Sequence, residues 1–413
     1  MDTLVRTNGD SMAITTTSVP NPASEALTDA ALDRLRDQAD PLADNAVGAY
    51  FWRLDESQPE DLLASLVRHT HLPAKTQDPA IRTFFEQASV LPSWADEEQV
   101  RRGQDFFART ATDHIAAAYL AALPSTYASA AAAQVLDITA RLRTDPQRRI
   151  DEMVQFLMDV SEPGALVCEG AATGRILHVR LMHAAVRWLI GNDGAIEHVA
   201  EQEPAAEHAA GGSSITWSAS WGRPVNQEDL IATFLSFTTV AYDVFDRTGA
   251  DYSDDDVADH LHMWRLIAHW LGVDPAIVPL DRASAAARQR QIWSRQHAPS
   301  AAGAALTGAL LDQATDRLPR VLARATPTVM RQLNGDLLCD MVAVPDANWT
   351  RWLLAVRTGA TKAATFGRRP HAGMRWVVKK TSRRMVRGLE ETARHGDRPA
   401  FQVPAHLKGQ LGR

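Results

Sequence analysis

Gly174-Arg-Ile-Leu-His-Val-Arg-Leu-Met-His-Ala-Ala-Val-Arg-Trp-Leu-Ile190 is the stretch whose reading decides the fold class. At about 100° per residue, Arg180, His183 and Arg187 fall within roughly 60° of arc. Leu177, Leu181, Ala185, Trp188 and Leu189 cover the opposite side, and Val179, Met182 and Val186 most of the remainder. A helix apolar over so much of its circumference belongs in a core. Its cations are then costly unless acidic groups or hydrogen bonds meet them. One reading of the polar stripe is a solvent-facing edge, or salt bridges to Asp or Glu of a neighbouring helix. The other is an imidazole that ligates a metal, flanked by guanidiniums that pair with the carboxylates of a cofactor. Haem has that combination, an iron with an axial His and two propionates.

Outward from this helix the same 3.6-residue spacing recurs. It predicts helices over 31–37, 61–69, 81–88, 97–109, 113–122, 130–142, 146–160 and 175–190, then over 227–247, 254–271, 284–297, 304–323, 349–361 and 374–391. Strand patterns are scarce, so the chain reads as all-α. Asn226-Gln-Glu-Asp and Ser253-Asp-Asp-Asp each place a capping side chain and acidic groups at a helix start. Residues 201–224, with Trp217 and Trp221, read as a loop, either a lid or simply packed. No internal repeat or Pro/Gly/Ser linker divides the interior. The expected organisation is a largely disordered segment over residues 1–39, one large helical domain over 40–404 and a C-terminal tail over 405–413.

Composition narrows the class. The chain has 413 residues, 45% of them apolar and 23% charged, which suits a folded globular protein. No apolar run approaches the roughly 20 residues that span a bilayer; the best, 115–123, meets Pro124. The first 25 residues hold no basic cluster followed by an apolar core, so a cytoplasmic location is expected. Two cysteines, Cys168 and Cys339, make neither a disulfide framework nor a thiolate zinc site. The net charge of −7 hides a basic C-terminal end, thirteen Lys/Arg against three Asp/Glu from Thr361 onward. That end suits peripheral contact with acidic lipid or, more simply, a solvated amphipathic helix. Nucleic-acid motifs are absent.

The preceding predicted helix, Pro146-Gln-Arg-Arg-Ile-Asp-Glu-Met-Val-Gln-Phe-Leu-Met-Asp-Val160, sets Arg149, Met153, Phe156 and Val160 on one face. Rival metal chemistry fails on spacing. None of the fourteen histidines completes the Glu-x-x-His pairs of a di-iron bundle, and His262/His269 or His69/His71 lack a third zinc ligand. Around Cys168, Gly164-Ala-Leu-Val-Cys-Glu-Gly170 echoes a thiolate-haem loop but lacks its Phe and Arg.

Seven blocks together carry a resemblance: Leu91-Pro-Ser-Trp-Ala-Asp, Arg102-Gly-x-x-Phe-Phe107, Leu123-Pro-x-x-Tyr127, Arg148-Arg-Ile-Asp-Glu, Asp159-Val-x-x-Pro-Gly-Ala-Leu166, His178-Val-Arg-Leu-Met-His183 and Gly222-Arg-Pro-Val-Asn-Gln-Glu-Asp-Leu230. In order and spacing they resemble the latex clearing proteins and MpaB-type oxygenases, over roughly Asp40 to Pro404. The resemblance implies an all-helical, globin-like core holding haem b. His183 would be the proximal iron ligand, with Arg180, Arg187 and Arg149 lining the haem region. Rubber-cleaving members continue the Arg149 helix with Lys-Thr, where this chain has Glu152-Met153. Glu152 fits the MpaB-like branch and Met153 departs from both, which argues against polyisoprene.

The expected function is a haem b-dependent oxygenase using O2 on a small hydrophobic substrate, an alkene or isoprenoid, with an electron donor as a further partner. Arg149, Glu152 and Met153 are the candidate catalytic residues, Met153 touching substrate, O2 or the iron itself. A haem carrier or gas sensor of the same fold is the alternative.

Overall fold

The computed structural model describes residues 27–53, 78–138, 146–167, 170–191 and 217–346. Helices α1 (Asp29–Arg36), α2 (Pro41–Arg53), α3 (Pro79–Ala88) and α4 (Glu97–Ala117) lead into a π-helical turn, Ala118–Ala122. Next come α5 (Leu123–Ala128), α6 (Ala130–Ile138), α7 (Pro146–Val160) and α8 (Ala171–Gly191). After a 3₁₀ turn at Ala219–Trp221 follow α9 (Gln227–Phe237), α10 (Thr239–Thr248), α11 (Asp254–Trp270), α12 (Arg282–Gln296), α13 (Ala301–Arg317), α14 (Arg320–Asn334) and α15 (Asp336–Met341). Among the described residues no strand forms beyond one isolated bridge, Ser129 to His297. One connected apolar cluster runs from Leu32 on α1 to Val344 past α15, so the fold is all-α and a single domain.

Capping chemistry sets the helix starts. Asn226 Oδ1 accepts from the Asp229 amide at 3.0 Å, and Ser253 and Asp256 form a reciprocal capping box, as both sequences lead one to expect. The central pair is α4 against α11. A Cβ on Gly103 would stand 2.5 Å from the Asp259 carbonyl, so only glycine allows this approach. Arg102 clamps the same crossing with a forked ion pair to Asp259, at 2.9 and 3.1 Å.

Pro124 does not end the apolar run before it. Proline has no N–H for the carbonyl four residues back and its ring crowds it, so the helix widens into a π turn. The stranded Leu120 carbonyl accepts from Asn334 Nδ2 at 2.8 Å, which ties α14 to the turn. The expected helix over 227–247 breaks at Thr238 (φ −109°, ψ −79°), and that over 304–323 breaks at Leu318-Pro319. Helix α1 matches the helix expected over 31–37 and lies inside the 1–39 segment expected to be largely disordered, while α2, α14 beyond Ala323 and α15 were not anticipated. Expectations over 61–69, 139–142, 349–361 and 374–391, and those on His69, His71, Cys168 and the basic C-terminal end, fall outside the described residues.

Candidate cofactor site

Helix α8 is buried where the sequence requires: Leu177, Leu181, Ala184 and Ala185 lie in the core. The helix packs against α2, α7 and α11. The acidic groups that meet its guanidiniums come from the start of α2, Asp40 just ahead of the helix and Asp44 in its first turn. Arg180 forks onto Asp40, Nε to Oδ2 at 2.5 Å and Nη2 to Oδ1 at 2.8 Å, with Asp40 3% and Arg180 9% exposed. Arg187 Nε donates to Asp44 Oδ1 at 2.7 Å and Nη1 to the Val225 carbonyl at 3.0 Å. An acid just before α2 and one in its first turn thus face cations seven apart on α8. Gly272 closes the Asp40–Arg180 site: its φ is +84°, and a Cβ there would overlap both the Asp40 carboxylate and Arg180.

His183 lies between the two arginines, one turn from each, and is half-buried. Val186 and Ile190 follow it at i+3 and i+7, and with Val135 of α6 they form a small apolar cluster apart from the main core, flanked by Trp217 and Val225. Val225 is a β-branched residue at φ +49°, an uncommon strained backbone, and it is its carbonyl that Arg187 holds. Burial pushes the Arg187 guanidinium down from its ordinary range, and Asp44 only partly offsets this. Arg187 Nη2 is buried and makes no hydrogen bond. The two N–H groups of that nitrogen are therefore left without an acceptor on the stripe.

On α7, Met153 and Phe156 are half-buried and pack against the main core, and Val160 is fully buried. Arg149 and Glu152 lie on the same helix, but their side chains are outside the described residues. His178, the other histidine of the α8 block, bonds through Nδ1 to the Gly174 carbonyl at 2.6 Å. Among the described residues no group of three His, Cys, Asp or Glu side chains could hold a metal ion.

The described end of the loop before α9, from Trp217 onward, is tied down. Trp217 Nε1 donates to the Gly222 carbonyl at 2.8 Å, its ring meets Trp221 edge-on at 5.2 Å, and Arg36 Nη2 donates to the Trp221 carbonyl at 2.6 Å. Residues 201–216 of the expected loop lie outside the described residues, and these contacts concern its last stretch, 217–224, alone. The acids at the start of α9 do more than cap: Glu228 is fully buried between Arg36 at 3.1 Å and Arg295 at 3.3 Å. Beside it, burial pushes Asp229 up to about 6. Cys339 is a buried thiol that burial pushes up to about 11, which keeps it protonated. Sequence reasoning missed the carboxylates at the start of α2; the Asp40-x-x-x-Asp44 spacing ahead of an apolar run was the available sign.

Among the described residues no helix is long and apolar enough to cross a membrane. The fold is similar to that of a solved structure of latex clearing protein LCP in the closed state, with a TM-score of 0.65 and 22% identity over 85% of this chain and 91% of that one. In sequence, 233 residues are 28% identical to a rubber oxygenase of Streptomyces sp. (strain K30), 56% of this chain and 52% of that protein. The chain thus spans about half the length of that curated relative. Residues 103–379 match the family model described as "ER-bound oxygenase mpaB/B'/Rubber oxygenase, catalytic domain". That span contains α8 with its His183 and both buried arginines, and by it the chain belongs to the mpaB/rubber oxygenase catalytic-domain family.

Proposed function

We propose that this protein is an oxygenase that binds haem b through His183 and acts on a small hydrophobic substrate, an alkene or isoprenoid. One observation carries the cofactor reading: a half-buried histidine on a core helix stands one turn from a buried arginine whose Nη2 has no acceptor. A buried donor left unsatisfied costs about 1–3 kcal/mol, and a carboxylate of the cofactor would remove that cost. Family membership supports the same reading and, with the fold likeness, the globin-like arrangement of the core.

The residues then divide the work. His183 would hold the iron, and Arg187 Nη2 would be the donor available to one propionate. Arg180, already forked onto Asp40, is a positioning residue that sets the register of the helix carrying His183. Arg149 on α7 is the candidate for the second acid. Val135, Val186 and Ile190 keep water from the cofactor face. Met153 and Phe156 offer half-buried apolar surface to a lipophilic substrate, and Glu152 is the candidate base. The bound haem supplies the oxygen chemistry, which no side chain of this protein can.

The test is an absorption spectrum of protein expressed with haem precursor, wild type beside His183→Ala, followed by reaction with O2 and a panel of alkenes. Wild type should be coloured and His183→Ala nearly colourless, and carbonyl products should form with wild type alone. Colour that survives His183→Ala refutes the ligand assignment. Colour with spectral shifts but no product would favour a carrier or gas sensor.

A further inference from the structure

A second buried histidine lies away from α8. His114 of α4 is 4% exposed and packed among Phe106, Phe107, Phe245 and His260. Its Nδ1 contacts the Thr110 carbonyl at 3.3 Å and Thr110 Oγ1 at 3.0 Å. The carbonyl can only accept, and the Thr110 hydroxyl already donates to the Phe106 carbonyl at 2.7 Å. Both contacts therefore place the imidazole proton on Nδ1. Burial pushes the ring down to about 3, so it is neutral and Nε2 carries a bare lone pair. That nitrogen is buried and has no hydrogen-bond partner.

His114 also lines a cavity, with Phe107, Leu157, Ser236, Phe237 and Trp264. The cavity gives the centre of a water molecule about 10 Å³, the room one water needs. Its second polar wall group, Ser236, spends its hydroxyl proton on the Ala232 carbonyl at 2.9 Å, which leaves Oγ as an acceptor. The neighbouring imidazole does not compete: His260 bonds Tyr242 through Nδ1 at 2.8 Å and accepts from Trp264 Nε1 at 3.1 Å. The polar groups on the wall are thus two acceptors, and nothing on it donates to them.

We propose that this cavity is a built site for one small neutral molecule that donates two hydrogen bonds, a water molecule in the resting protein, held between His114 Nε2 and Ser236 Oγ. An apolar guest such as O2 or xenon would leave the His114 lone pair buried and unmet, and is disfavoured. The site stands independently of the haem reading. It touches that reading in one way: Leu157 lies one turn beyond Met153 on the same face of α7, so the bound water is a polar reserve behind the candidate substrate surface.

The experiment uses full-length wild-type protein and Ser236→Ala, prepared without added haem precursor. A crystal structure under xenon pressure should show a water within hydrogen-bond distance of both acceptors and no xenon. Nitrogen NMR of histidine-labelled protein should show His114 protonated at Nδ1, with an Nε2 resonance that shifts in Ser236→Ala as the water loses its second anchor. Xenon filling the wild-type cavity, a proton on Nε2, or a resonance indifferent to Ser236→Ala would each overturn the assignment.

Discussion

Removing the Asp40 carboxylate should cost this fold far more than an ordinary ion pair is worth. Arg180 receives both of its oxygens, and the pair is sealed by Gly272, with Phe84 beneath the guanidinium at 5.6 Å. Asp40→Ala leaves a cation in that enclosure with no anion, for which about 3–5 kcal/mol is expected. Whole-domain stabilities are about 5–15 kcal/mol, so a large part of the margin is at stake. At roughly 2 °C per kcal/mol for a chain of this size, the melting temperature should fall by roughly 6–10 °C. Urea denaturation followed by far-UV circular dichroism measures the loss directly, and a cycle with Arg180→Met partitions it. The double variant buries no charge at this site and should be more stable than Asp40→Ala alone. Raised salt should change little, because a sealed pair is poorly screened. A loss under about 1 kcal/mol, the range of exposed pairs, would refute the reasoning, as would strictly additive losses in the cycle.

Other perturbations test other parts of the structure. Gly103→Ala forces a methyl onto the Asp259 carbonyl and should cost about 1–3 kcal/mol by overpacking, read as a lower urea midpoint. Asn334→Leu strands the Leu120 carbonyl again, for about 1–3 kcal/mol, and should raise amide exchange in the π turn before it rises in α4. Asp229 should leave a pH signature. Its folded value of about 6 lies above the ordinary 3.8, so the folded state binds the extra proton and this group's contribution falls as pH rises from about 4 to about 6. Asp229→Asn should therefore gain on wild type across that window when urea midpoints are compared, and a difference flat in pH would refute the raised value.

What the sequence made legible follows from where the physics is local. The α8 stripe was readable because 3.6-residue spacing alone decides which side chains share a face. The caps at Asn226 and Ser253 were readable because donor and acceptor lie three residues apart. Breaks at Thr238 and Leu318-Pro319 were not, because apolar spacing runs on through them. Nor was the identity of the anion on α8. Asp40 and Asp44 stand more than a hundred residues from Arg180 and Arg187, and no local rule selects one acidic pair among the 50 Asp and Glu of the chain. Glu228 misled in the opposite sense, since an acid in a first helical turn ordinarily faces water and this one is fully buried between Arg36 and Arg295.

The Asp40 and Asp44 contacts alter how the arginine stripe should be understood. Had Arg180 and Arg187 been free, each could take one propionate, and the stripe would be purely a cofactor clamp. Instead each guanidinium is already matched by a carboxylate from the start of α2, so the stripe is close to neutral before any cofactor is counted. The two propionates of the proposed haem would then need further cations or exposure to water. Arg187 Nη2 answers part of one, and Arg223, exposed and 3.8 Å from Asp44 Oδ2, stands near the same end. The other end has Arg180 with Nε and Nη2 committed. If the proposed haem is held here, the two arginines are unequal: replacing Arg187 should weaken its retention directly, whereas replacing Arg180 should act through stability and the seating of α8. A stripe that first fastens its own helix, and only then offers one donor to a ligand, keeps the histidine in register whether or not the cofactor is bound.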